Sequence, residues 1–172
     1  MNKRIKKKQI KMKNKKLCKR YPFLIPRNRW TGKIIWNKRI RKRDWRYVEP
    51  YSWTELDAMP DGWRAVFGEQ LCEELREELI KANYLDKYRI TQIKDKYGGL
   101  RWYDFGNTKK GYEIIRKYEE LSRKTCIDCG RPATKMSVGW INPYCDKCAE
   151  KLSKGKYPWG WEFTDLEEED GR

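Results

Sequence analysis

Residues 126–148 read CIDCGRPATKMSVGWINPYCDKC, which sets Cys126 beside Cys129 and, fifteen residues further on, Cys145 beside Cys148. Two residues between cysteines let both thiolates of a pair reach one ion. Gly130 permits the tight turn behind the first pair, and four thiolates complete a tetrahedral shell. The spacing therefore predicts one structural Zn2+ held by Cys126, Cys129, Cys145 and Cys148. A closed shell leaves no position for water, so such an ion contributes folding energy rather than Lewis-acid chemistry. Four thiolates also suit an iron–sulfur cluster. In a reducing compartment closely spaced cysteine pairs point to metal rather than to disulfides.

Between the pairs, residues 133–144 alternate around Gly139 like a hairpin, and the run after Cys145 is helix-compatible. Knuckle, hairpin and a helix carrying the second pair make a treble-clef or zinc-ribbon-like module. Trp140 and Tyr144 either cover the metal or form an exposed stacking face.

Upstream, Ile114, Ile115, Tyr118 and Leu121 recur at helical spacing, predicting a helix over 112–123 that runs directly into the first cysteine pair. Before it, two β-prone runs over 88–103 flank Gly98-Gly99, a hairpin signal. Earlier still, Pro60-Asp61-Gly62 reads as a helix start. Phe67, Leu71, Cys72, Leu75 and Leu79 then follow at steps of three and four to about residue 82. Cys72 lies on that buried stripe and reads as a core thiol, whereas Glu69, Glu73, Glu74, Glu77 and Glu78 fall on the solvated face.

The residues IKDKYGGLRWY, the helix ending ELSRKTCIDCGRPA, and then GWINPYC with CDKC resemble a widespread set of small bacterial and bacteriophage proteins. These share an IKxKxGxLRxY hairpin followed by a CxxCG zinc module with a Gly-Trp before the second pair. The similarity covers roughly residues 88–152, and YPFLIPRNRWTG at 21–32 also looks like phage versions. The resemblance implies the fold, the zinc and a phage or prophage setting; it carries no activity. The lysine-rich N-terminus departs from the common pattern.

Charge divides the chain. It has 172 residues, 41 Lys and Arg against 25 Asp and Glu, and a net charge of +16. Residues 1–46 hold 20 of the cations and a single acid, Asp44, while the remaining 126 residues hold 21 cations and 24 acids. A basic arm is thus attached to a slightly acidic body. The expected organisation is a basic arm over 1–46, largely disordered or transiently helical to about 20 and then extended and partly packed. An α+β body over 47–124, the four-cysteine module over 125–157 and an acidic tail over 158–172 follow it. Tyr21, Phe23, Leu24 and Ile25 read as the tether of the arm to the core, and Ile34, Ile35 and Trp36 suggest a short strand. The acids at 167–170 would shield the arm from nonspecific partners.

A segment with so dense a positive charge attracts anionic backbones. Phosphate contacts are expected from Lys6, Lys7, Lys8, Lys11, Lys13, Lys15, Lys16, Lys19 and Arg20, and from Arg27, Arg29, Lys33, Arg41, Lys42 and Arg43. Trp30 and Trp36 are candidate stacking groups. The nucleic acid, of unspecified type, would be bound with little sequence selectivity. The alternative is a phage adaptor or inhibitor that docks on a host protein or host-defence complex through the zinc-containing body.

The chain contains no histidine, which removes imidazole as base, nucleophile partner or ligand. The carboxylates Asp57, Asp61, Asp95 and Asp104 have no spacing that sets them apart as Mg2+ ligands, so a non-enzymatic protein without a small-molecule substrate is expected. Neither a membrane span nor a secretory h-region is visible, which makes the expected location the cytoplasm.

Overall fold

The computed structural model describes residues 3–28, 30–36, 49–155 and 161–166. Among them lie five α-helices and two small antiparallel sheets, an α+β body joined to the four-cysteine module. The expected apolar stripe is the spine of the body. Helix α2 (Asp61–Trp63), a π-helical turn (Arg64–Gly68) and helix α3 (Glu69–Lys81) run on without a break. Phe67, Leu71, Cys72, Leu75 and Leu79 are all fully buried. Cys72 is a core thiol, pushed well above the usual thiol range by that burial.

Three glutamates on the spine do more than face water, which corrects the sequence reading. Glu73 accepts hydrogen bonds from Arg20 Nε and Tyr21 Oη, both at 2.8 Å. Glu74 accepts from Tyr118 Oη at 2.7 Å and pairs with Lys117, and Glu78 accepts from Thr108 Oγ1 at 3.0 Å. These acids tie the N-terminal segment and helix α4 (Lys109–Arg123) to the spine.

Strands β1 (Arg89–Lys96) and β2 (Gly99–Phe105) form the expected hairpin. Its turn is Tyr97-Gly98 rather than Gly98-Gly99, both with positive φ (51° and 73°), while Gly99 already pairs with Lys96. A bulge between Ile90 and Gln92 adds a residue, so Ile90 and Ile93 both point inward although three positions apart. Two edge amides of β2 are satisfied by α4, since Leu100 N donates to Ser122 Oγ (2.8 Å) and Trp102 N to Glu119 Oε1 (3.1 Å).

The basic N-terminus departs most from expectation. Lys3–Arg20 forms helix α1 rather than a disordered arm, because Asn14, Leu17 and Cys18 recur at helical spacing and are buried. Asn14 Nδ2 donates to the Tyr51 carbonyl at 3.1 Å. Lysine-rich sequence has no apolar stripe of its own, so tertiary docking of these last turns is what stabilises the helix. The tether expectation holds, with Tyr21, Phe23 and Leu24 in the core, the last two in a 3-10 turn. Residues 34–36 do not form a strand; Ile34 makes an isolated bridge to Arg27.

The four-cysteine module carries β3 (Lys135–Ser137), β4 (Pro143–Tyr144) and α5 (Asp146–Ser153). Phe163–Asp165, expected within the acidic tail, instead forms β5 and pairs with β3, completing a three-stranded sheet in the order β4-β3-β5. Residues 167–170 lie outside the described residues.

The module leans on the spine at Gly62, whose N–H donates to the Ile127 carbonyl at 2.9 Å. A Cβ there would lie 2.3 Å from Cys126 O, 2.6 Å from Ile127 O and 2.7 Å from Gly130 N. All three neighbours are backbone atoms and cannot swing away. Gly62→Ala is expected to cost roughly 2–3 kcal/mol through overlap and the strained hydrogen bond. Urea unfolding reads this as a lower midpoint, and an unchanged midpoint would mean that the helix backs away freely.

Candidate functional site

The helix α4 ends at Arg123 and delivers the chain into the first knuckle. There Cys126 N donates to Arg131 O at 2.7 Å and Gly130 N to Cys126 O at 2.9 Å, which folds Cys126 and Cys129 toward each other. Cys145 is the N-cap of α5 and Cys148 lies in its first turn, so the helix start sets the spacing of the second pair. The ligand atoms of all four cysteines lie within 4.8 Å of one another, and Cys129 Sγ is 3.6 Å from Cys145 Sγ. A tetrahedron with metal–sulfur bonds of ~2.3 Å has sulfur–sulfur edges of about 3.8 Å, so the cluster has the dimensions to hold one metal ion. Among the described residues it is the one such group of three or more ligands.

The surroundings tune the sulfurs unequally. Arg131 Nε donates to Cys129 Sγ at 3.4 Å and draws that thiol down to about 6, making it a thiolate at neutral pH. Burial pushes the Cys126 and Cys148 thiols up in the ion-free chain. An ion entering the cluster must therefore displace protons. Cys18 is also buried, and burial lifts its thiol to about 11, which marks it as a packing group.

Tyr144 and Trp140 separate. Tyr144 is buried against Phe163 and Trp161, with ring centroids 5.6 and 6.3 Å away, while Trp140 is 72% exposed at the β3–β4 turn.

The expected phosphate contacts fall into three groups. Lys6, Lys8, Lys13, Lys15, Lys16 and Lys19 are exposed on α1 and carry no salt bridge among the described residues. Lys7 and Lys11 pair with Glu49, and Arg20 with Glu73, so their charge is partly answered within the fold. Arg27 donates to Gly32 O (3.1 Å), Lys33 is exposed in the same loop, and Arg29, Arg41, Lys42 and Arg43 lie outside the described residues. Trp30 is 84% exposed, whereas Trp36 packs on Tyr51 with ring centroids 4.5 Å apart. The structure thus separates the two tryptophans, which sequence alone treats alike.

The carboxylates weighed as Mg2+ ligands have structural partners in two cases. Asp57 accepts from Thr54 N at 2.6 Å and pairs with Arg64 at 2.5 Å. Asp104 accepts from Asn107 at 2.7 Å, and burial pushes its carboxyl above the usual range. No helix among the described residues is long and apolar enough to cross a membrane. Comparison with protein-family models, curated proteins and solved structures finds no match.

Proposed function

We propose that this chain is a zinc-stabilised, non-enzymatic nucleic-acid-binding protein of phage or prophage setting, whose main contact with the phosphate backbone is helix α1. One observation carries the reading. Residues 3–20 hold eleven Lys and Arg and no acid, and the helix is anchored at one end by Leu17, Cys18 and Tyr21. Docking converts a loose cationic arm into a rod of fixed direction, so less ordering accompanies binding to an anionic backbone. The four sulfurs favour zinc, which takes four thiolates tetrahedrally and here would hold the treble-clef-like module together.

The test is a salt series on labelled single-stranded RNA, single-stranded DNA and duplex DNA. Because Leu17, Cys18, Tyr21, Phe23 and Leu24 are core residues, deleting the arm would damage the body. Replacing Lys6, Lys8, Lys13, Lys15, Lys16 and Lys19 with glutamine removes charge from exposed positions only. The slope of log affinity against log salt is expected to fall by roughly 0.7–0.9 for each lysine that contacts a phosphate. Wild-type affinity that the six substitutions leave unchanged would sink the assignment to α1.

A second reading, docking on a host protein, is favoured by an apolar tip on the module. Val138, Trp140 and Ile141 are all exposed there, with Ile141 beside Gly98 of the hairpin turn. Failure of the wild type to bind any nucleic acid at about 150 mM salt would turn attention to that tip.

A further inference from the structure

The outward face of the β1–β2 hairpin carries a second and different binding element. Pairing places Arg89, Gln92, Lys94 and Lys96 of β1 on the side opposite the buried Ile90 and Ile93, facing Phe105, Tyr103 and Arg101 across the ladder. The two acids of the hairpin, Asp95 and Asp104, share the inward positions with Leu100 and Ile90. A body with more acids than cations thus presents one sheet face with four cations and no carboxylate.

Three of those cations rest on rings instead of acids. Arg89 lies 4.5 Å from the Phe105 centroid, Lys94 5.2 Å from Tyr103 and Lys96 5.2 Å from Tyr97. Among the described residues only Arg101 of the four approaches an acid, at 4.0 Å from Glu119.

Over this face stand residues 30–32, between the bridged Arg27 and Ile34. Asn28 Oδ1 accepts from the Trp30 and Thr31 amides at 3.0 and 2.9 Å, and Gly32 N donates to Asn28 O at 2.8 Å. The loop is therefore pinned while its tip, Trp30, remains 84% exposed. Trp30, Tyr103, Thr91 and Gln92 line a shallow slot, open to solvent, of about 290 Å³. That is at the bottom of the range small-molecule pockets occupy, the scale of one base rather than of a large cofactor. Thr91 and Gln92 are only partly buried, and their side chains make no hydrogen bond among the described residues. A hydroxyl and an amide, with both donors and acceptors, are thus left beside two rings.

We infer that this slot binds a base of single-stranded nucleic acid. Trp30 and Tyr103 supply the stacking faces, the Gln92 amide and Thr91 hydroxyl meet the base edge, and Lys94 takes a flanking phosphate. Stacking on exposed rings beside cations is how single strands are held with little sequence preference. A duplex keeps its base faces covered, so the slot discriminates strandedness while α1 does not. The inference rests on the nucleic-acid reading above and adds to it a contact that charge alone does not supply.

The test uses the full, metal-loaded chain with oligo(dT) and oligo(rU) of roughly 12 nucleotides, within the span a small single-strand-binding fold covers, and a duplex of the same length. Trp30→Ala and Tyr103→Ala are each expected to weaken single-strand binding roughly five- to a hundredfold. The salt slope should be unchanged, because no charge is removed. Tyr103→Phe should retain binding, and duplex affinity should not move. Trp30 projects into solvent, so Trp30→Ala decides the matter alone should Tyr103→Ala fail to fold. Single-strand affinity within twofold of wild type in Trp30→Ala, or an equal loss on duplex, overturns the slot while leaving α1 in place. A wild type that ignores every oligonucleotide at low salt overturns the slot and the nucleic-acid reading together.

Discussion

Stripping the ion proposed for the four-cysteine cluster with a strong chelator, or replacing Cys126 with serine, is expected to unfold the region over 125–153 and to lower the stability of the whole chain. The strands β3 and β4 have three and two residues, and α5 has eight, too little regular structure to persist without a cross-link. A structural zinc contributes an apparent ~10–16 kcal/mol to such modules, comparable with the entire stability of an ordinary domain, about 5–15 kcal/mol. The damage spreads because Gly62 and Trp63 hydrogen-bond to Ile127 and Thr125 in the same region. Circular dichroism and tryptophan fluorescence during chelation, with released metal measured by a colorimetric dye, report the loss. Visible absorbance of the untreated protein separates zinc, which is colourless, from an iron–sulfur cluster. Ion retention should weaken as pH falls, since protons compete for the sulfurs. Cys129, held at about 6 by Arg131, is already a thiolate at neutral pH, whereas Cys126 and Cys148 must give up protons to bind. A chain that keeps its cooperative unfolding transition after complete metal removal would refute the structural role.

Trp63→Ala should be the most damaging single substitution away from the cysteines. The side chain is fully buried where the spine meets the module, and its indole N–H donates to Thr125 O at 2.8 Å. Removing the ring costs about 3–5 kcal/mol in lost burial and cavity. Trp63→Phe separates the two contributions. It keeps most of the ring volume but orphans the Thr125 carbonyl, a cost on the order of 1–3 kcal/mol. Urea denaturation of both variants gives the ranking Trp63→Ala well below Trp63→Phe, itself below wild type. Equal midpoints for the two variants would mean that packing at this joint contributes little.

Local periodicity is enough for the elements whose partners lie nearby in the chain. The two CxxC pairs, the apolar steps from Phe67 to Leu79 and the paired β runs around residues 97–99 each express a short repeat, and each reappears in the structure. The repeat periods of helix and strand are properties of adjacent residues, so they survive without knowledge of the fold. Within these elements the details that needed a partner did not follow from spacing. The turn sits at Tyr97-Gly98, the spine contains a π-helical turn, and Glu73, Glu74 and Glu78 hold neighbours rather than water.

What separates residues far apart in sequence was settled only by tertiary packing. Helix α1 exists because Asn14, Leu17 and Cys18 find the core, a gain invisible in a lysine-rich string. Strand β5 exists because β3 offers an unpaired edge, and its own three residues are too few to specify a strand alone. Gly62 must be glycine because the Cys126 knuckle arrives against it from more than sixty residues away. Trp30 and Tyr103 face one slot because a pinned loop crosses a hairpin. Side-chain burial and long-range hydrogen bonds depend on which surfaces meet in space, and one-dimensional spacing does not contain that information.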